Sequence, residues 1–154
     1  MGVILVAVPV SSIDVQAFVH VTEDMDKTMK AVINVFPPRY SDEISFTRTY
    51  LKGHHGNPII LIKTRIKKGV IAQAFISNLA SKLGGKSKEE LLTNIERHVD
   101  EKGNFYLRLD KQAAFLNRLG LSSEDSIRIQ IRLNLGQKSI ENMVKLCREL
   151  GLIL

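Results

Sequence analysis

The sequence contains few of the residues that form covalent cross-links or soft metal sites. It has one cysteine, Cys147, and no tryptophan among its 154 residues. A single thiol cannot form an internal disulfide, and proteins of oxidising compartments usually carry several cysteines. We therefore expect a cytoplasmic protein without a disulfide or a paired-cysteine metal centre.

Long apolar runs are also missing from the sequence. The most apolar stretch is the N-terminal MGVILVAVPV, which Pro9 interrupts and which lacks the basic head of a signal sequence. Spanning a bilayer takes about 20 apolar residues, so we expect no membrane segment. We interpret Val3 to Val8, within residues 1–12, as an N-terminal arm or short strand, and residues 1–154 as one domain.

The motifs of common catalytic and cofactor sites are absent as well. The GGKS at Gly84 to Ser87 is part of a phosphate-loop pattern, but Ala80 stands where that loop needs its first glycine. The sequence has no HExxH motif, and Cys147 lies on the apolar stripe of the last predicted helix, as a buried side chain would. The sequence therefore predicts no catalytic centre, no metal and no cofactor.

Apolar periodicity predicts the order strand, helix, strand, strand, helix, helix, strand, helix, strand, helix. The strands alternate apolar and polar residues, which is typical of a sheet with one buried and one wet face. We therefore predict an α+β fold, a mostly antiparallel sheet with helices packed on one face in a two-layer sandwich. The strands are expected at about Ile13 to Val21, Ile44 to Leu51, Ile59 to Lys67, Phe105 to Leu109 and Ser126 to Leu135.

Three local signals add detail to this prediction. Thr22 is expected to cap the first helix, and Ser87 with Glu90 has the spacing of a capping box at the start of the third. Asp110 is expected to cap the short helix after the fourth strand and to leave Lys111 free.

The sequence is basic, with a formal net charge of +6 and an isoelectric point of about 9.6, which favours a polyanionic partner. In three predicted strands the aliphatic residues must face the core, so the alternating cations face the other way. The pattern indicates a basic face suited to RNA phosphates and a stacked base. Such charges also suit a merely solubilised sheet or an acidic partner protein. The outward residues are Lys63, Arg65, Lys67, Arg108, Arg128, Arg132 and Tyr106, with Asp110 as the one acid counted among them.

A histidine pair stands in the segment LKGHHGNPIILIKTRIKK, Leu51 to Lys68. Adjacent side chains on an extended backbone point apart, so His54 and His55 need further ligands before they can bind a metal. We interpret them as part of a hairpin turn, in which Gly53 and Gly56 permit positive φ angles. Their rings would then be available to a phosphate or a sugar.

Three blocks carry a family resemblance: HVTEDMDKTMKAVINVFP, LKGHHGNPIILIKTRIKK and GNFYLRLDKQAAF. The chain resembles an archaeal family of small RNA-binding proteins described as predicted exosome subunits. The resemblance implies a fold related to that of the large-subunit ribosomal protein that binds 5S RNA, and no catalytic residues. The motif positions are His54, Gly56, Asn57, Pro58, Tyr106, Arg108, Asp110, Lys111 and Gln112.

The residues and the resemblance together predict a non-catalytic RNA-binding protein, an accessory subunit or adaptor of an exosome or of ribosome-linked RNA processing. The alternatives are a nuclease that uses the His54–His55 turn and a scaffold that binds an acidic protein. Partners beyond RNA would be exosomal or ribosomal components, and the oligomeric state stays open. The predicted RNA-binding residues are Lys63, Arg65, Lys67, Arg108, Arg128, Arg132, Tyr106, His54, His55 and Lys111.

Overall fold

The computed structural model describes residues 9–154, apart from the side chain of His54. The arm expected at Val3 to Val8 lies outside the described residues. A five-stranded sheet forms the frame of the fold, with the strand order β2-β3-β1-β5-β4 and antiparallel pairing throughout. The strands are β1 (Val10–His20), β2 (Thr47–Lys52), β3 (Pro58–Ile66), β4 (Asn104–Asp110) and β5 (Ser126–Leu133).

Helices cover one side of this sheet, and the fold is the predicted α+β sandwich of two layers. The helices are α1 (Met25–Asn34), α2 (Gly69–Lys82), α3 (Gly85–Thr93), α4 (Lys111–Phe115) and α5 (Ile140–Glu149). None of the helices formed by residues 9–154 is both long and apolar enough to cross a membrane.

The core lies between the two layers, where strand alternation places the aliphatic residues. In β5 the side chains of Ile127, Ile129 and Ile131 are buried, with exposed fractions of 0–1%, while the residues between them face away. Burial of such a side chain stabilises the fold by roughly 1.5–3 kcal/mol. A register slip by one residue would expose every aliphatic side chain of this strand, so the core fixes which residues face outward.

Two boundaries around the first helix differ from the expectation. β1 ends at His20, and Val21 is 62% exposed in the turn that follows. Asp24, not Thr22, caps α1, because its carboxylate accepts the backbone N–H groups of Asp26 and Lys27. The prediction that Thr22 caps this helix was therefore wrong by two residues. Threonine and aspartate are both favoured at the N-cap, so residue type alone did not distinguish position 22 from position 24.

The capping box predicted at Ser87 is also wrong. Helix α3 begins at Gly85 with Gly84 as its cap, so Ser87 lies inside the first turn. The helix starts early because α2 ends at Lys82 and Leu83 bridges to Leu119, which leaves a very short link between the two helices. The capping prediction for Asp110 is confirmed, since its carboxylate accepts the Ala113 N–H at 2.8 Å.

The two outer strands have different surroundings. On the outer side of β4, Tyr106 donates its N–H to the His98 carbonyl at 2.7 Å, and the Ser122 N–H reaches the Arg108 carbonyl at 3.0 Å. All six residues of β2 are exposed. The segments around His98 and Ser122 therefore form a border along β4.

Candidate nucleic-acid interface

The side of the sheet opposite the helices, here called the open face, carries the outward side chains of β1, β3, β4 and β5. Lys63, Arg108 and Arg128 are exposed there, as strand alternation predicted. Their neighbours along each strand are buried in the core, so the cations cannot turn inward without exposing aliphatic surface. The geometry of the open face therefore follows directly from the alternating sequence.

Strand pairing aligns several of these residues in one line, here called the central row. Arg108 pairs with Arg128, Arg128 with Gln16, and Gln16 with Lys63. The Cβ atoms of directly opposed residues are about 5 Å apart, and like charges at that distance destabilise the sheet. Lys63 follows at about 10 Å from Arg128, two strand spacings away. A row of this kind gains stability when an anion with several charges lies along it.

The adjacent row is nearly neutral. Tyr106 pairs with Gln130, Gln130 with Asp14, and Asp14 with Arg65. The Asp14 carboxylate accepts hydrogen bonds from Arg65 Nε at 2.6 Å and Nη2 at 3.2 Å. The hydrogen bond and the negative charge of Asp14 raise the pKa of Arg65 above its ordinary value. The face therefore holds a second acid besides Asp110, and Arg65 contributes less free positive charge than its position suggested.

Tyr106 is held in a fixed orientation by a small polar network. The residue is 38% exposed, and its hydroxyl donates to Asp100 at 3.0 Å. Partial burial and the hydrogen bond to Asp100 raise the pKa of the tyrosine. Burial alone would raise the pKa of Asp100, but hydrogen bonds from Asn104, Tyr106 and Lys102 outweigh it and lower that pKa. An ionised Asp100 thus anchors a neutral, outward-facing aromatic ring.

A cleft of about 740 Å³ lies at the β4 end of the open face. Its floor includes Tyr106, Arg108 and Arg128, and its walls are the border segments of β4. Arg97 and His98 line one wall, and His98 Nδ1 lies 2.8 Å from the Tyr106 carbonyl oxygen, which makes Nδ1 the donor. Neither residue was among the predicted ones, because both lie in a helical turn without strand alternation; the one available signal was their closeness in sequence to β4.

Two further predicted residues lie at the margins of the open face. Arg132 is exposed on β5 and pairs with Asn104 on one side and Ser12 on the other. Lys67 is exposed one residue beyond the end of β3. Arg132 therefore extends the basic surface along β5, whereas Lys67 stands outside the paired part of the sheet.

Lys111 is not a free cation, and that expectation was wrong. Its side chain is 13% exposed, and its Nζ atom contacts Asp125 at 2.8 Å and both Glu23 carboxylate oxygens at 3.2 Å. It also donates to the Phe18 carbonyl at 2.5 Å. These acceptors tie α4 to the end of β1 and the loop before β5. We therefore leave Lys111 out of the RNA-binding surface, since its charge is already matched.

The same cluster contains a set of side chains that could ligate a metal. Among residues 9–154, His20, Glu23 and Asp125 bring ligand atoms within 4.8 Å of one another. The Lys111 ammonium contacts both acids and balances one of their two negative charges. A cation is thus already provided by the protein itself, so we assign no metal to this group.

The histidine turn lies apart from the central row. Residues His54–Gly56 form a single turn of 3₁₀ helix, in which His55 has φ 64° and Gly56 has φ 76°. Gly53 is extended, contrary to expectation; there a Cβ atom would collide with the Ile59 side chain. The turn is about 20 Å along the strand from Lys63, at about 3.4 Å per residue. The structure therefore does not bring the histidines together with the other predicted residues.

Cys147 is buried in α5, as its place on the apolar stripe predicted. Burial raises the pKa of the thiol to about 12. A protonated, inaccessible thiol is a poor nucleophile, so this cysteine is part of the core.

Comparison with known proteins identifies the family. A family model described as RNA binding matches residues 12–133, a span that runs from β1 to the end of β5. The chain belongs to this RNA-binding family. The matched span includes the whole central row and the cleft. The sequence resemblance to an archaeal RNA-binding family is thereby confirmed.

Relatives and solved structures support the same family. The RNA-binding protein PAB1135 of Pyrococcus abyssi is 34% identical to the chain over 140 residues, which cover 90% of this chain and 91% of that protein. The crystal structure of AF2318 from Archaeoglobus fulgidus, a DUF54 protein, has a TM-score of 0.79 at 32% identity and covers 92% of this chain and 99% of that one. Mth689 from Methanothermobacter thermautotrophicus, also a DUF54 protein, has a TM-score of 0.75 at 26% identity, with coverages of 92% and 97%.

Proposed function

We propose that the protein binds RNA through the open face of its sheet without cleaving it. The observation that carries this proposal is the central row, in which Arg108 and Arg128 face each other across neighbouring strands with Lys63 further along the line. Opposed arginines destabilise an isolated sheet, and an RNA backbone offers the closely spaced negative charges that reverse this effect. Membership of the RNA-binding family supports the choice of RNA over other polyanions.

Binding would depend mainly on the RNA backbone. Lys63, Arg108, Arg128 and Arg132 neutralise phosphates, and Arg97 adds a fifth cation from the cleft wall. Neutralising about five phosphates gives a log–log salt slope near −3.5 for single-stranded RNA. Arg65 contributes less, because Asp14 already holds it in an ion pair. Contacts of this kind fix the position of the RNA and do not read its sequence.

A titration of labelled RNA at several salt concentrations tests the proposal. Arg108→Glu and Arg132→Glu should each weaken binding at low salt by about tenfold or more, as expected for loss of a charge-assisted contact. Each variant should also make the slope shallower by about 0.7 or more. Lys145→Glu, at an exposed position of α5 on the helical side, is the matched control and should bind close to the parent.

Two outcomes of this titration would contradict RNA binding by the open face. A salt-independent affinity, with both arginine variants binding as the parent does, would refute the assignment of RNA to this face. Equal weakening by Lys145→Glu would show that net charge, and not the open face, governs the interaction.

The non-catalytic part of the proposal is tested separately. The His54–His55 turn is about 20 Å along the strand from Lys63, so the histidines cannot act on the phosphates that the central row holds. Incubation of end-labelled RNA with the protein should therefore leave it intact. Cleavage that disappears in the His54→Ala/His55→Ala double variant would instead favour the nuclease alternative.

We further propose that the protein acts in the cytoplasm as an adaptor beside an RNA exosome or ribosome-linked processing machinery. The family resemblance and a basic face suited to backbone contacts support this proposal. Affinity purification after ribonuclease treatment should retain exosomal or ribosomal proteins. Loss of all of them after that treatment would limit the role to RNA binding alone.

A further inference from the structure

We infer that the cleft at β4 holds one unpaired nucleotide, with its phosphate on Arg108 and Arg128 and its base against the ring of Tyr106. This inference rests on the proposed function and adds the form of RNA that the site selects. The protein would then bind single strands, bulges or loops and would bind a continuous duplex only weakly.

The size and shape of the cleft support a single nucleotide. A volume of about 740 Å³ lies within the range of about 300–1,000 Å³ typical of small-molecule sites. Its walls, formed around Arg97 and Ser122, rise from the outer side of β4 beside an otherwise open sheet. A duplex keeps its bases stacked and could contact only the rims, whereas an unpaired nucleotide can enter.

The phosphate end of the cleft is formed by guanidinium groups. Arg108 and Arg128 are directly opposed across β4 and β5, and Arg97 lines a wall of the same cleft. The Arg128 guanidinium lies 5.8 Å from the centre of the Phe18 ring, a cation–π contact that restricts its position. Arginine binds phosphate through two parallel N–H donors, so two arginines side by side on neighbouring strands suit one phosphate group.

The base end of the cleft is aromatic and amide-lined. Tyr106 offers part of its ring to solvent, and its hydroxyl is fixed by the hydrogen bond to Asp100. Gln130 lies opposite Tyr106 on the floor, with Gln16 next to Arg128, and carboxamides both donate and accept hydrogen bonds, as base edges do. A fixed ring loses little freedom when a base stacks on it, so the preordered tyrosine favours binding.

Three RNA probes distinguish this arrangement from general backbone binding. They are a single-stranded 10-mer, a blunt stem formed by two annealed strands without a loop, and the same stem with a one-nucleotide bulge, all titrated at the same salt concentration by fluorescence anisotropy. We expect the single strand and the bulged stem to bind about tenfold or more tighter than the blunt stem.

Substitutions of Tyr106 assign the preference to the cleft. Tyr106→Leu should weaken binding of the single strand and the bulged stem by about tenfold and leave the blunt stem unchanged. Tyr106→Phe keeps the ring, so its binding should stay within about twofold of the parent even if the variant loses some stability. Tyr50→Leu, at an exposed tyrosine on β2 outside the cleft, is the matched control and should not change binding.

Two results would overturn the inference in different ways. Equal affinity for the blunt stem and the single strand, with Tyr106→Leu binding like Tyr50→Leu, would refute the nucleotide site while RNA binding by the open face stands. Failure of the parent to bind any of the three probes at low salt would refute the proposed function and the inference together.

Discussion

Replacing Lys111 with methionine should destabilise the protein and leave its affinity for RNA unchanged. Methionine keeps most of the length of the side chain and removes the ammonium group. That group donates to the Phe18 carbonyl and contacts the carboxylates of Glu23 and Asp125. Its loss leaves two acids close together without their shared cation.

The expected loss of stability follows from the burial of the three groups. Removing one partner of a fully buried ion pair costs about 3–5 kcal/mol. Glu23 and Asp125 are 27% and 44% exposed, so water can rehydrate them in part, and His20 remains 3.4 Å from Asp125. We therefore expect about 2 kcal/mol, which is close to the value of a single charge-assisted hydrogen bond. For a chain of this length the midpoint of thermal unfolding should fall by roughly 4–8 °C.

Thermal unfolding followed by circular dichroism, together with RNA titration, provides the measurement. Lys63→Met is the matched control, since it removes an exposed cation of the central row. Its free energy of unfolding should stay within about 0.5 kcal/mol of the parent's, and it should bind RNA more weakly. The opposite result would be a Lys111→Met variant that melts like the parent and loses as much RNA affinity as Lys63→Met. That outcome would return Lys111 to the RNA-binding surface.

Three other predictions concern Asp14, Asp100 and Cys147. Asp14→Asn releases Arg65, so the variant should bind RNA more tightly at low salt, with a slope steeper by about 0.7; unchanged or weaker binding would contradict the ion-pair argument. Asp100 has a lower pKa in the folded protein than its ordinary value of 3.8. Its ionised carboxylate therefore stabilises the fold fully at a pH above 3.8, and this contribution is lost as the pH falls through the folded pKa. Urea unfolding at pH about 5 and about 3 should therefore show a smaller loss of stability in Asp100→Asn than in the parent, and equal losses would count against this assignment. Cys147 should react with a thiol reagent more than about a hundredfold faster in urea than in the native protein, and comparable rates would show that the helix α5 opens readily.

The strands and their outward faces could be predicted from the sequence because the alternation of β5 and β4 allows one register. Ile127, Ile129 and Ile131 must be buried together, so the positions of Arg128 and Arg132 follow. Alternation alone did not show which outward residues of β1 oppose those of β3. Asp14 opposes Arg65 only because β1 lies between β3 and β5, and strand order is not encoded in alternation.

The cleft and the lysine cluster could not be predicted, since both depend on contacts between segments distant in sequence. Arg97 and His98 reach the site because their turn pairs with β4 at Val99. Lys111 meets Glu23 and Asp125 across α4, the turn after β1 and the loop before β5. A family motif marks such a lysine as important, but its role as an internal tie becomes visible only from the packing.

Nuclear magnetic resonance of the 17.3 kDa protein during titration with single-stranded RNA tests the central claim most directly. Backbone amide shifts and arginine Nε–H shifts report where the RNA lies. The open-face account predicts the largest changes at Lys63, Tyr106, Arg108 and Arg128, with α2 and α5 nearly unchanged. Shifts confined to those helices, with the central row unmoved, would contradict it.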